Sequence, residues 1–162
     1  MNPSKGDVVL LPQHGLCLVV GRRKFGDSAV RVEHLILKVL SDERMVKVPV
    51  TELPERNMRA PITLGDLDAV LKELAAPKKN VSKSWSRRFK QNQALLRSGQ
   101  ILEVAAVVRD LSVWAQKTPL SAAELSMYER AYTNLLAEMS HAAADSDLDV
   151  ASLVSAALNS AR

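Results

Sequence analysis

At 162 residues the chain can hold one domain or two small ones, and 47% hydrophobic with 25% charged side chains is ordinary for a soluble globular protein. Cys17 is its one cysteine, which excludes an internal disulfide and fits a reducing, cytoplasmic setting. There is no basic-then-apolar leader, and no apolar run approaches the ~20 residues that span a bilayer, so no membrane role is expected. Only 4% is aromatic, which requires an aliphatic core.

In chain order, the first fifty residues have the period of two that marks strands. Asp7–Leu11 is a short apolar run after a Lys5-Gly6 turn. Pro12–Gly15 turns the chain into Leu16–Val20, and Gly21–Lys24 leads out of that strand. Gly26-Asp27-Ser28 predicts a hairpin loop, followed by the alternating run Val30–Leu40, a turn at Ser41–Arg44 and a last strand, Met45–Val50. Pro49 lacks an amide donor, so this last strand is expected at an edge, where a partner strand could add.

Thr51–Pro61, punctuated by Pro54 and Pro61, is a connector. It sets the expected organisation: a β domain over 1–55, a linker at 56–62 and a helical domain over 63–162. From Thr63 the period changes to three and four. Thr63–Asp66 resembles a capping box and opens a helix with Leu64, Leu67, Val70, Leu71 and Leu74 as its apolar stripe, ending before Pro77. Beyond Gly99, Gln100–Lys117 predicts a helix striped by Ile101, Val104, Ala105, Val108, Leu111 and Trp114. Ser121–Glu124 is a capping box for a helix reaching His141, with Leu125, Tyr128, Tyr132, Leu135, Leu136 and Met139 inward. A terminal helix begins at Asp147 or Asp149. The fold class is therefore α+β: a small barrel or bent sheet followed by a bundle of about five helices.

The most informative stretch lies between the first two helices. The formal charge is only +4, yet Lys78, Lys79, Lys83, Arg87, Arg88, Lys90 and Arg97 follow one another with no acid until Glu103. Such a run is a footprint for a polyanion. Asn80 marks a loop, Ser82 and Ser84 are candidate N-caps, and a helix to Ser98 with Gly99 as its stop follows. Lys83, Arg87, Lys90 and Arg97 share one predicted face, and Trp85, Phe89, Asn92 and Leu96 another. Trp85 has two readings: a wedge between base pairs, held beside the densest charge, or the first member of a packing stripe. The charge run has two as well, a nucleic-acid contact or a solvated face.

An enzyme would need a constellation that the chain lacks. His14 and Cys17 are three apart and His34 stands in a predicted strand, which is too little for a zinc site or an activated thiol. No glycine-rich loop ends in GK[ST], and the acids of 66–68 and 145–149 suit helix starts. No cofactor or metal is expected.

The ordered set KGDVVLLPQHG (Lys5–Gly15), HLILKV with MVKVPV (His34–Val50), WSRRFKQN (Trp85–Asn92), SGQILEVAAVVRDL (Ser98–Leu111) and LSAAE (Leu120–Glu124) resembles the CarD/CdnL family of bacterial transcription regulators. The resemblance implies a Tudor-like N-terminal domain that binds the β subunit of RNA polymerase, partly by strand pairing. It implies a helical domain that reaches promoter DNA at the upstream edge of the melted bubble, where Trp85 wedges into the minor groove without reading sequence. Lys83, Arg87, Arg88 and Lys90 would lie along the DNA backbone. Contacts to polymerase would involve Arg23, Phe25, Val46, Lys47 and Val48. Phe25 and Lys47 stand where the family often has arginine, and lysine keeps the charge without the bidentate fork. The expected protein is thus a monomeric, non-enzymatic, nucleoid-associated stabiliser of the open complex. The alternative is an adaptor that docks on polymerase, or on another β-edge partner, without touching DNA.

Overall fold

A computed structural model describes residues 1–77 and 82–161. The expected loop residue Asn80 and the cations Lys78 and Lys79 lie outside the described residues. The chain forms two compact units, Met1–Pro61 and Ile62–Arg162.

The first unit is an antiparallel meander of four strands in sequence order: β1 (Val8–Leu11), β2 (Gly15–Phe25), β3 (Val32–Val39) and β4 (Met45–Pro49). β2 runs on to Phe25, well past the predicted end at Val20. Its register against β3 shifts between Val19 and Gly21, so Val20 is the extra residue of a bulge and Arg22–Phe25 continue the ladder. Polar side chains in this extension conceal it from a hydrophobic pattern. The hairpin loop needs Gly26: its φ is +125°, and a Cβ there would meet the Val30 carbonyl oxygen at 2.2 Å.

Alternation decides the faces. Val9, Leu11, Cys17, Val19, Leu35, Leu37, Val39 and Val48 form one core, with Val46, Leu53 and Met58 packed against it. The segment expected as a linker is drawn partly into this unit. Leu10 and Arg59 exchange backbone hydrogen bonds of 2.7 and 3.0 Å, which covers part of the outer edge of β1. β4 is the other edge strand. A 3-10 turn, Val50–Arg56, follows it.

The second unit contains α1 (Leu67–Ala75), α2 (Trp85–Ser98), α3 (Ile101–Ala115), α4 (Ala122–Ala142) and α5 (Val150–Ser160). Before α1, Thr63 and Asp66 form a reciprocal capping box around a 3-10 turn. These hydrogen bonds hold the exposed Asp66 carboxyl below its ordinary pKa. The core is aliphatic, built on Leu67, Val70, Leu74, Val108, Leu135, Met139, Val154 and Leu158. Two expected stripe members lie exposed instead: Leu64, in the 3-10 turn, and Leu125 are 50% and 45% exposed. Four charged groups, Arg88, Arg109, Glu124 and Glu138, are buried, none of them expected to be. Arg109 bonds to Glu73 and Asp110 at 2.8 Å each; burial opposes its charge, but these acids win and raise its pKa. Glu138 accepts the Ile62 amide at 2.9 Å. No helix among the described residues is long and apolar enough to cross a membrane.

Cys17 is fully buried, and burial first, then Asp42, pushes its thiol up to about 11. A thiol at that value is almost wholly protonated near neutrality and unreactive. The native protein should therefore resist a thiol-specific disulfide reagent at about pH 8, and one thiol should appear on denaturation. Rapid labelling of the native protein would contradict the burial.

Candidate nucleic-acid interface

α2 begins where the sequence puts a cap and stops at Gly99, whose φ of +72° is the left-handed position that ends helices. Its start is unusual. The N-cap is Ser84, whose side chain makes no capping bond, and no acid stands in the first turn. Instead exposed Lys83 and Arg87 lie at the positive end of the helix dipole. That placement is unfavourable by about 0.3–1 kcal/mol per charge in the absence of an anion. Uncapped amides and nearby cations together favour a bound phosphate. Lys90 is exposed one turn further on, and Arg97 near the far end of the helix. Lys83 precedes the helix and so is not on the predicted helical face.

Trp85 is the first residue of α2 and is 46% exposed, so it lies at the surface and outside the aliphatic core. Its ring stacks on Phe89, one turn on, with centroids 5.3 Å apart and planes 14° apart. Its indole N–H donates to Ser121 Oγ at 2.8 Å. One ring face is thus backed by Phe89, and the donor is already used. What remains on offer is a flat apolar surface.

Arg88, expected along the DNA backbone, is placed elsewhere. It is buried at 4% exposure, with Nε and Nη2 each donating to the Glu124 carboxylate at 2.8 Å. Nη1 donates to the Ser82 carbonyl at 3.2 Å, and the guanidinium lies 4.3 Å from the centre of the Trp114 ring. The Glu124 hydrogen bonds outweigh burial and raise the Arg88 pKa above its ordinary value. The capping box at α4 is accordingly half made. Ser121 Oγ accepts the Glu124 amide at 3.1 Å, while the Glu124 side chain turns to Arg88. Ser121 touches Trp85, and Glu124 and Trp114 touch Arg88, contacts that spacing did not reveal; it put Trp114 only in a packing stripe. The Ser-x-x-Glu motif flagged Ser121 and Glu124, but only as a local cap.

The sheet presents a second surface. Arg23, Phe25, His34 and Lys47 share the face opposite the core, by the registers Arg23↔His34, Phe25↔Val32 and Ile36↔Lys47. Phe25 and His34 meet edge-to-face at 5.2 Å, and Lys47 Nζ sits 4.4 Å from the Phe25 ring centre. His34 Nδ1–H donates to the Val32 carbonyl at 2.9 Å, which fixes the imidazole. Val46 and Val48 point to the core, so they offer a partner only the backbone of the β4 edge. Among the described residues no three of His, Cys, Asp or Glu gather as metal ligands would.

Residues 69–155 match the family described as CarD, C-terminal domain. That span is more than half the chain and contains α2, the Trp85 site and α4. The chain belongs to the CarD family. It is also 23% identical to "Putative transcription factor YdeB" of Bacillus subtilis (strain 168), over 83% of this chain and 88% of that protein. The CarD match thus covers most of the helical unit, from within α1 to within α5, and the relative extends the likeness into the sheet.

Breaking a buried ion pair from one side strands the other charge, which costs about 3–5 kcal/mol, whereas replacing both partners by apolar groups can be neutral. Glu124→Ala is expected to lose about that much stability in urea denaturation, and the pair Arg88→Met with Glu124→Leu to recover most of it. A single substitution with no effect would contradict the buried pair.

Proposed function

We propose that this CarD-family protein is a non-enzymatic transcription regulator that stabilises the open promoter complex. In this reading the sheet docks on the β subunit of RNA polymerase, and Trp85 wedges into the minor groove at the upstream edge of the melted bubble. The observation that carries the reading is the half-exposed indole in the first turn of α2, held by Ser121 and Phe89, on a helix end that also exposes Lys83, Arg87 and Lys90 on its other sides. A wedge has to be rigid, apolar on its free face and close to charges that hold phosphates. Unstacking a base step costs on the order of a few kcal/mol, and cationic contacts with local concentration on polymerase offset it. The indole N–H is occupied by Ser121, so the ring offers no hydrogen bond to a base edge. That fits recognition of a junction without sequence reading. Family membership and a relative whose name says transcription factor support the assignment.

Docking is assigned to Arg23, Phe25 and Lys47, with the β4 backbone available for strand pairing. The Phe25 ring holds Lys47 in place, which substitutes preorganisation for the missing arginine fork. The adaptor reading rests on this same face. Against it stand the exposed cations Lys83 and Arg87 at the start of α2, where the first turn carries no acid.

Trp85→Ala should keep polymerase binding and remove the gain in open-complex lifetime, by about tenfold if one base stack is lost. Equal lifetimes for variant and wild type would exclude the wedge. With three phosphate contacts, binding to forked DNA should weaken by roughly fortyfold between about 50 and 200 mM salt. Lys90→Ala should lower the slope of log affinity on log salt by about 0.9; salt-independent binding would favour the adaptor. Phe25→Ala should weaken polymerase binding about two- to fivefold by freeing Lys47, with DNA binding unchanged.

A further inference from the structure

We propose that Ser121, at the start of α4, is a positioning residue for Trp85: its hydroxyl fixes the indole that the wedge mechanism uses. The inference rests on the wedge reading above. A serine hydroxyl has two acceptor lone pairs and one proton. Here all three are engaged. Ser121 Oγ accepts the Trp85 indole N–H at 2.8 Å and the Glu124 backbone N–H at 3.1 Å, and its O–H donates to Glu124 Oε1 at 3.4 Å. The proton is drawn toward a carboxylate, which leaves both lone pairs for the two N–H donors. Glu124 is held in turn by two hydrogen bonds from Arg88, which sits one turn beyond Ser84 on the helix that carries Trp85. The indole is thus tied to a hydroxyl that is oriented by a buried ion pair, and Phe89 closes one ring face.

The alternative, a serine that serves only as N-cap, predicts no effect on the indole once the cap is supplied another way. Glycine separates the two roles, because it caps a helix nearly as well as serine but has no acceptor for the indole. Threonine keeps both. The positioning role predicts that Ser121→Gly frees the indole without unfolding α4.

The experiment compares full-length wild type, Ser121→Gly, Ser121→Thr and Trp85→Ala, each with two readouts. The first is hydrogen exchange and chemical shift of the Trp85 indole N–H by NMR, with the Trp114 signal as an internal reference. The second is the lifetime of RNA polymerase open complexes at a fixed promoter. Ser121→Gly should accelerate Trp85 indole exchange and shorten the added lifetime roughly three- to fivefold, the weight of one neutral hydrogen bond. Ser121→Thr should restore both. If Ser121→Gly leaves the lifetime at the wild-type value while Trp85→Ala shortens it, the positioning role is overturned and the wedge stands. Unchanged indole exchange in Ser121→Gly overturns it as well. If Trp85→Ala itself matches wild type, the wedge reading fails and the positioning role falls with it.

Discussion

The arrangement around Trp85 depends on the buried ion pair between Arg88 and Glu124. An arginine taken out of water has to find its partner in good geometry, and there is one rotation of α2 that allows it. At about 100° per residue, an inward Arg88 sends Lys90 to the far side and Arg87 to one flank. Trp85 and Phe89 then fall together on the other flank, where they stack. The cost of burying two charges is offset by bidentate hydrogen bonds and the Trp114 ring, and the result is orientation more than stability. The basic run therefore divides by role: Arg88 fixes the helix, and Lys83, Arg87 and Lys90 stay in solvent.

The sheet unit shows a comparable economy. Its core is satisfied by the alternate residues of four short strands, which frees the opposite face for polar and aromatic side chains. The bulge at Val20 lets β2 continue, so that Phe25 arrives beside His34 and Lys47. The cation is held by a ring that is itself held by an imidazole. In the docking proposed above, this β edge and its ring-held cation would meet a partner that offers a strand and an acid.

Much of this was legible in the residues. Changes of period located the strands and helices, and Gly99, Pro77 and the Thr63 and Ser121 motifs placed helix ends to within a residue or two. The α+β class follows from that order. What was not legible depends on pairs far apart in sequence. Arg88 reads as one more surface cation until Glu124, on another helix, claims it. Trp85 is compatible with core or surface at the same helical spacing, and only packing decides. β2 looked short because Arg22, Arg23 and Lys24 carry no apolar signal, and Leu125 looked buried because it keeps the stripe's period but falls at its margin. The Phe25–Lys47 contact joins strands that the pattern can order but cannot register.

The central claim is that the Trp85 ring meets DNA at the upstream junction of melted promoter. Placing a photoreactive aromatic amino acid at position 85 and mapping its crosslinks in the polymerase–promoter complex tests this most directly. The account predicts crosslinks to nucleotides at the upstream edge of the bubble, lost when the promoter is kept closed. Crosslinks to protein alone, or to DNA scattered along the duplex, would contradict it.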